Sequence, residues 1–447
     1  MSVFTDDIIG FKSVLRLAYN FLNGNSYLKR QKFKERKKLI SVALPFSDLI
    51  FASDAVPVFP IRMEKFNIHP YLTALDTAKN LLGWNWTTKL LTIARKFDFL
   101  EILDNVLDDV IYTINDKYNE LYDLAIDNGI PSDFCYGITG LTGMFISKAK
   151  NLDANINFTI RCSAWNKYSE TLQDYVPRQI WVDIPPRNLD NSVELLADNV
   201  SKAISDLEDV TGNFVTDNSL KKQFRIGNQI KRFYKTILFE LSNSDFYPCN
   251  PATFAEILAL LGISFQDYNS NAQRYLENFS DLVKESRERI DKERGMDVSD
   301  MPRILVTPVF GGWEPQVHEI LYDLGARTIY ADWEILNLLE EIDVSKNSDP
   351  IRSYAEFLFK PTTYGIGYNQ EALTDSYIET AKELQVDGIV FNQVFGCHSI
   401  SNCYSRLRKK IRRKLEIPTT VINFNKIGEN VEQVKTRLGA FMEMFHL

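Results

Sequence analysis

The spacing of apolar residues along this chain follows two patterns, and together they predict a mixed α/β protein. Short runs rich in β-branched and aromatic residues, bounded by turn residues, indicate strands. In the first half of the chain these runs are NINFTIR and RQIWVDIP, with a helical stretch between them. In the second half they are RILVTPVF, ARTIYADW, VDGIVFNQVF and IPTTVINF. Strands that alternate with helices predict parallel sheets with helices on their faces.

Apolar residues three and four positions apart predict helices over residues 71–128 and most of residues 191–295. We therefore expect an α/β fold with two Rossmann-like parallel-sheet domains and helical N-terminal and connecting segments. The predicted division is an N-terminal helical segment at 1–40, a first α/β domain at 41–190, a helical connecting region at 191–300 and a second α/β domain at 301–447.

The composition is that of a globular protein, and it limits the cellular compartment and the classes of partner that we expect. The chain has 447 residues, of which 45% are hydrophobic, so it can bury large cores. Its formal net charge of -8 argues against general nucleic-acid binding. The N-terminal sequence lacks a signal-peptide pattern, and no apolar stretch approaches the roughly 20 residues of a membrane span. We expect a soluble, cytoplasmic protein that binds neither nucleic acid nor membranes.

Cys135, Cys162 and Cys397 are the candidates for metal chemistry. The sequences around them are IPSDFCYGITG, NFTIRCSAWNK and FNQVFGCHSIS, so each cysteine stands where a strand or loop is predicted to give way to a helix. A helix start favours the thiolate, which binds soft metals. Three such thiolates could converge on one iron–sulfur cluster in the cleft between the domains, at the carboxyl ends of the strands. However, no C-x-x-C pair connects any two of them, and their spacing alone favours ordinary buried cysteines.

Three further residues are candidates for contact with a substrate. Ser47 and Asp48 stand in the PFSDL turn, where they either cap a helix, the simpler interpretation, or face the predicted cleft. His398 directly follows Cys397. It is either a surface residue at a helix start or a group that donates a hydrogen bond or a proton near the metal site.

Motifs for other common cofactors are missing or weak. Gly311 and Gly312 follow a predicted strand, but no nucleotide-binding glycine fingerprint surrounds them, so a tight turn is favoured over a phosphate site. The histidines form no H-x-x-x-H pair, which argues against a zinc hydrolase. Cys249 lies in a proline-flanked loop, and Cys403 falls on a different helical face from Cys397, so neither is a predicted ligand.

Two basic runs, at residues 29–38 and 406–414, leave alternatives open. A solvated helix face is the simpler interpretation of both. The first run could instead form a site for phosphate or nucleic acid, and the second a site for coenzyme phosphates or an acidic partner.

The segments around the cysteines, taken in order, resemble the 2-hydroxyacyl-CoA dehydratase and benzoyl-CoA reductase family from about residue 40 to the C-terminus. The family's opening turn resembles LPFSDLIFASDAVPV, and its three cysteine segments resemble IPSDFCYGITG, NFTIRCSAWNKYSETL and DGIVFNQVFGCHS. Its C-terminal domain opens like PRILVTPVFGGW and ends like EQVKTRLGAFMEM. The chain departs from the family at Asp48, where Glu is usual, at Asp54, where Gly is usual, and at His398. These departures leave the cysteines in place and bear on the substrate.

The resemblance implies that Cys135, Cys162 and Cys397 bind a [4Fe-4S] cluster, with the fourth iron left for a small ligand or the substrate. It also implies the elimination of water from a 2-hydroxyacyl-CoA through a ketyl radical, after an ATP-hydrolysing iron–sulfur activator has supplied one electron. His398, Ser47 and Asp48 are the candidate catalytic residues. Such enzymes pair two related subunits and serve anaerobic metabolism, so we expect a heterodimer with a sister subunit.

The resemblance leaves two alternatives. One is a benzoyl-CoA-reductase-like subunit that acts on a substrate that is hard to reduce. The other is a non-catalytic subunit that relays electrons or serves as a scaffold. Relatives with a double cluster need more than three thiolates. This chain has five cysteines, and two of them are poorly placed, so a double-cluster protein is disfavoured.

Overall fold

Two four-stranded parallel sheets form the centre of the protein, which confirms the predicted fold class. The computed structural model describes residues 11–42, 45–66, 69–95, 101–159, 163–185, 190–307, 316–331, 336, 338–359, 370–394, 396–424 and 426–445. Within these ranges, no helix is both long and apolar enough to cross a membrane.

The first sheet comes from the N-terminal half of the chain. Its strands are β1 (Leu39–Val42), β2 (Val56–Val58), β3 (Ala154–Thr159) and β4 (Gln179–Asp183). They stand in the order β2-β1-β3-β4, and every neighbouring pair is parallel. β1 is buried at all its positions, as expected for a parallel strand covered on both faces. Pro57 lies in the edge strand β2, where its missing N–H costs no ladder bond.

Helices precede and connect these strands. They are α1 (Lys12–Leu22), α2 (Gly24–Phe33), α3 (Ser47–Ala52), α4 (His69–Arg95), α5 (Glu101–Asp127), α6 (Tyr136–Lys148) and α7 (Ser163–Leu172). Two glycines let α6 approach α5 closely. A Cβ atom at Gly140 would lie 2.4 Å from the ring of Tyr118, and one at Gly143 would lie 1.7 Å from the carbonyl oxygen of Leu121. Larger residues would push the two helices apart, so these glycines fix the position of α6.

A mostly helical region follows the first sheet. Its elements are α8 (Ser192–Thr211), α9 (Asp217–Lys235), β5 (Phe246–Tyr247), α10 (Pro251–Phe265), α11 (Ala272–Asp291) and β6 (Met296–Asp297), and β5 and β6 form a short antiparallel pair. α8 ends at Gly212, whose φ of 73° suits a left-handed helix terminus. α9 begins with a reciprocal capping box between Thr216 and Ser219.

The second sheet comes from the C-terminal part of the chain. Its strands are β7 (Arg303–Thr307), β8 (Arg327–Tyr330), β9 (Gly388–Val394) and β10 (Thr419–Phe424). They stand in the order β10-β9-β7-β8 and are parallel throughout. The accompanying helices are α12 (Gln316–Asp323), α13 (Pro350–Leu358), α14 (Gln370–Glu383), α15 (His398–Leu415) and α16 (Val431–Met442).

A buried ion pair ties the edge of the first sheet to the helical region. Arg62 lies in the 3₁₀ turn Pro60–Met63 after β2, and Asp267 follows α10. Both side chains are fully buried, and their charged atoms are 2.5 Å apart. The hydroxyl of Ser270 accepts a hydrogen bond from Arg62 at 2.5 Å and donates to the carbonyl of Pro57 at 2.9 Å. Residues 268–270 have φ values of 40°, 44° and 58°, although none is glycine, so the ion pair holds a strained left-handed turn.

We expect Arg62→Met to lower the free energy of unfolding by about 3–5 kcal/mol, because it leaves the Asp267 carboxylate buried without its partner. The double variant R62M/D267N is expected to lose less than the sum of the two single variants. Urea unfolding measures these losses. The exposed pair of Arg30 and Glu35, 3.5 Å apart, provides the control, since Arg30→Met should cost less than about 1 kcal/mol. Equal losses in R62M and R30M would contradict the structural role of the buried pair.

Candidate functional site

The topology places two of the predicted cysteines at carboxyl edges of the sheets. After α6, the backbone N–H of Asp153 donates to the carbonyl of Leu39, at the amino end of β1, over 2.8 Å. α6 therefore ends near the amino edge of the first sheet and begins toward the carboxyl edge. Cys135 stands directly before α6. Cys397 stands between the carboxyl end of β9 and the start of α15.

The side chains of Cys135 and Cys397 meet, one from each sheet's surroundings, and a hydrogen bond joins the two sulfur groups. The backbones approach equally closely. A Cβ atom at Gly396 would lie 2.7 Å from the carbonyl carbon and oxygen of Phe134 and 2.8 Å from the nitrogen of Cys135. Gly396 also has a φ of +76°, which favours glycine. The contact between the two cysteine segments therefore requires glycine at this position.

The surroundings of Cys135 favour its thiolate. The hydrogen bond with Cys397 lowers the pKa of Cys135 to about 7, although burial acts in the opposite direction. The backbone N–H groups of Ile138 and Gly137, in the first turn of α6, lower this pKa further without completing a capping hydrogen bond. The lowered pKa favours the thiolate, which is the form that binds metals.

Aromatic side chains enclose the cysteine pair, and the sequence patterns did not single them out. Tyr136 directly follows the first cysteine and is only 1% exposed. Its ring centroid lies 5.1–6.0 Å from those of Tyr118, Tyr122 and Phe424. Phe424 ends β10, and Cys397 packs against the same cluster. These contacts join α5 and α6 to the second sheet beside the thiols. The one feature of the sequence that could have indicated this cluster is the position of Tyr136 next to a candidate ligand.

Polar contacts support this aromatic cluster. The hydroxyl of Tyr136 donates to Oδ1 of Asn119 at 2.8 Å, and the amide of Asn119 donates to the carbonyl of Ile427 at 3.1 Å. Nearby, the ammonium group of Lys426 lies 2.8 Å from the carboxylate of Asp123. α5 is thereby attached to the loop after β10, which restrains the two sheets relative to each other at the cysteine pair.

The third predicted ligand, Cys162, lies outside the described residues. On either side of it, Phe158 lies in β3 and Trp165 lies in the first turn of α7, and their rings pack with centroids 4.9 Å apart. Trp165 belongs to the same buried cluster as Cys135. His398 begins α15, and its side chain is also outside the described part of the chain.

Ser47 and Asp48 form the start of α3, where Phe46 holds the N-cap position and no side chain caps the helix. The hydroxyl of Ser47 donates to the carbonyl of Gln266 at 2.6 Å. Asp48 is buried against α9, where a Cβ atom at Gly227 would lie 2.9 Å from its Oδ2. The two residues therefore hold α3 against the helical region.

Asp48 faces Lys231, and burial shifts the pKa of both groups toward neutrality. Burial raises the pKa of Asp48 to about 7, against the opposing effect of the Lys231 charge. Burial lowers the pKa of Lys231 to about 8, against the effect of Asp48. The ammonium group of Lys231 instead donates to the carbonyl of Glu340 at 2.9 Å and lies 3.9 Å from the ring centre of Phe357. A cavity of about 10 Å³, enough for about one water molecule, lies beside both charged groups.

The described donors suit a soft metal. Within the described ranges, no set of three or more His, Cys, Asp or Glu side chains is placed to hold a metal ion. The predicted set includes Cys162 and is therefore incomplete there. The two ligands that are described, Cys135 and Cys397, supply sulfur donors in contact, one of them with a lowered pKa. This donor chemistry fits an iron–sulfur cluster. Cys249, by contrast, is fully buried in the main core.

Comparison with known proteins connects this geometry to a family. The family model described as "2-hydroxyglutaryl-CoA dehydratase, D-component" matches residues 92–445, which include all three predicted cysteine segments. A search of curated proteins found no match to the chain. The match covers well over half of the chain and confirms the resemblance carried by the cysteine segments. With its two parallel sheets and its paired thiols, the chain therefore belongs to the 2-hydroxyglutaryl-CoA dehydratase D-component family, a family of 2-hydroxyacyl-CoA dehydratase components.

Proposed function

We propose that this chain is the [4Fe-4S]-containing subunit of a 2-hydroxyacyl-CoA dehydratase, with Cys135, Cys162 and Cys397 as the cluster ligands. The observation that carries the proposal is the contact between Cys135 and Cys397. These thiols come from opposite parts of the chain, one has a lowered pKa, and they meet where α/β proteins bind their ligands. The family match supports the class of reaction.

The residues around the thiols suit the tasks that such a site requires. When bound, the cluster would supply one-electron reduction at low potential. The chain's own part is to hold the thiolates and to exclude water. Cys135 is 6% exposed, and the Tyr136 cluster packs against Cys397. Burial and N–H groups near the sulfur atoms are the features by which a protein sets a cluster's potential.

We propose a 2-hydroxyacyl-CoA as the substrate, an ATP-hydrolysing iron–sulfur protein as the electron donor and a related sister subunit as the permanent partner. The description of the family as a D-component supports the need for other components. One electron passes from the activator to the site, the hydroxyl of the substrate leaves as hydroxide together with a proton from the carbon chain, and the electron returns to the site, so that the net loss is water.

The departure of water requires proton transfer, and we propose Asp48, Ser47 and His398 for it. Asp48 retains a proton near neutral pH because burial raises its pKa to about 7. A single water in the cavity beside Ser47 and Asp48 would carry this proton outward. His398 follows Cys397 directly at the start of α15, which makes it the proposed proton donor nearest to a ligand.

The reductase-like and relay alternatives can be separated from the dehydratase by anaerobic co-purification. The family match is to a dehydratase component, which favours dehydration. A catalytic subunit is expected to carry about four iron atoms per chain and to retain an acyl-CoA together with its sister subunit. A relay subunit would carry iron without acyl-CoA, and a scaffold would be colourless.

We expect Cys135→Ser, Cys162→Ser and Cys397→Ser each to lose the cluster, because a serine hydroxyl is a poor ligand for iron–sulfur centres. Iron per folded chain and visible absorbance after anaerobic purification measure this loss. Cys249→Ser and Cys403→Ser are the controls and should keep their iron. Iron retained in a proposed ligand variant, or lost in a control variant, would show that the ligand set is wrong.

We expect Gly396→Ala to separate the two thiols, because the new Cβ atom would collide with the backbone of residues 134–135. Gly428→Ala is a matched control, since Gly428 has a similar φ of +82° with open space around it. Both variants suffer a backbone strain of about 1–2 kcal/mol. Only G396A should lose iron. In iron-free protein treated with diamide, only G396A should fail to form the disulfide between Cys135 and Cys397. The same disulfide yield in both variants would contradict the close approach.

We expect Asp48→Asn to change the pH dependence of stability. The pKa of Asp48 rises from 3.8 to about 7 on folding, so the wild-type protein loses stability as the pH rises through this window. The variant lacks this loss. Its free energy of unfolding, relative to that of the wild type, should therefore rise by up to about 1.4 kcal/mol per pH unit between about pH 4 and pH 7. Removing the Asp48 charge also lowers the pKa of Lys231, which acts in the same direction. Urea unfolding at several pH values tests this, and parallel profiles would refute it.

A further inference from the structure

A lysine-lined groove of about 240 Å³ lies beside the first sheet, away from the cysteine pair. Its walls come from α2, the turn after β2, α5 and the end of α6. The charged side chains that line it are Lys29, Lys32, Lys65, Lys117, Lys148 and Glu64. On a chain with a net charge of -8, these five lysines outnumber the three carboxylates that pair with them, Glu64, Glu120 and Asp153, and form a local region of positive potential.

A buried carboxylate organises part of this lysine set. Glu64 is 3% exposed, and it accepts a hydrogen bond from the hydroxyl of Ser147 at 2.8 Å. Its other oxygen lies 2.9 Å from the ammonium group of Lys148 and 3.9 Å from that of Lys117. Glu64 thus fixes two ammonium groups at the wall of the groove and balances one of their charges.

The lysines of the groove differ in whether a carboxylate neutralises their charge. Lys32 is held at its edge by Asp153, 3.3 Å away, and by the carbonyl of Asn151, 2.7 Å away. Lys29 and Lys65 are exposed and form no ion pair with any described residue. An anion in the groove would therefore meet two ammonium groups, those of Lys29 and Lys65, that have no competing carboxylate among the described residues.

The groove also offers apolar and aromatic surface. Leu28, Leu39 and Met63 are buried and form its floor. Phe33, the last residue of α2, is 71% exposed at its rim. An exposed ring beside ammonium groups suits a ligand that has a flat base as well as phosphate groups, because bases stack on aromatic side chains.

The groove lies at the opposite edge of the first sheet from the thiols. Leu39 begins β1 and Lys148 ends α6, whereas Cys135 precedes the start of α6. With 13 residues in α6, the two ends are about 20 Å apart. A ligand in the groove therefore binds apart from the cysteine pair.

We propose that this groove binds a nucleoside phosphate, with the base against Phe33 and the phosphate groups at Lys29 and Lys65. This assigns the anion-site interpretation to the basic run at residues 29–38. The ligand has two sources with the same chemistry. One is the nucleotide end of an acyl-CoA, a source that rests on the proposed function, and the other is a free adenine nucleotide that acts as an effector.

The test is isothermal titration of the full-length protein with ATP, with coenzyme A and with pyrophosphate, at low salt and at high salt. We expect at least one of the two nucleotides to bind more tightly than pyrophosphate, and more weakly as the salt concentration rises. Lys29→Gln/Lys65→Gln should weaken nucleotide binding by about tenfold or more. Phe33→Ala should weaken the nucleotide but not pyrophosphate. Lys222→Gln, an exposed substitution on α9, is the matched control and should change nothing.

If coenzyme A binds and ATP does not, the ligand is the coenzyme. If ATP binds as well as coenzyme A, the ligand is a free nucleotide. Wild-type affinity in the double lysine variant, or no binding of either nucleotide, would overturn the proposal. The iron content of the groove variants distinguishes the nucleotide-site proposal from the cluster proposal, because the groove is about 20 Å from Cys135. Loss of nucleotide binding with normal iron concerns only the groove, and loss of iron in the cysteine variants concerns only the cluster.

Discussion

The backbone contact between Gly396 and residues 134–135 is the constraint on which the candidate site depends. Each cysteine is held by its own sheet, and only a close approach of the two chain segments brings the sulfur atoms together. That approach requires a residue without a side chain, in a conformation that L-residues rarely adopt. The packing of α6 on α5 through Gly140 and Gly143, and of Tyr136 on Phe424, then holds the contact in place. The thiol chemistry is therefore a consequence of backbone packing between the two halves of the chain.

Local sequence patterns predicted the strands and the helix starts because those depend on neighbours along the chain. The runs NINFTIR and VDGIVFNQVF became β3 and β9, and Cys135 and Cys397 do stand at the starts of α6 and α15. What no local pattern contains is a contact between distant residues. The position of Lys231 opposite Asp48 and the meeting of the two thiols depend on how helices pack. A resemblance to a family could group the cysteines, but it could not reveal Gly396 as the residue that permits their contact.

The two buried pairs of opposite charge, Arg62 with Asp267 and Lys231 with Asp48, differ in how closely the charged groups contact each other. Arg62 and Asp267 approach to 2.5 Å, and the backbone N–H of Phe59 donates to the same carboxylate at 3.1 Å, so the pair serves to hold a strained turn. Asp48 and Lys231 are equally buried, but Lys231 turns to the carbonyl of Glu340 and a small cavity lies beside the carboxylate. The carboxylate is left with too little compensation for its ionised form, which is why its pKa rises to about 7. Burial raises the pKa of Asp267 as well, so the two pairs differ in the direct hydrogen bonds that the carboxylate accepts and not in the direction of the pKa shift.

The helix α6 connects the lysine groove with the cysteine pair. The lysine groove is about 20 Å from Cys135. The groups that lower the pKa of Cys135 are all local: the Cys397 thiol and the N–H groups of Ile138 and Gly137. A ligand in the groove would reach the thiols through movement of α6, and the glycine contacts with α5 oppose that movement. The two edges of the first sheet are thus mechanically joined.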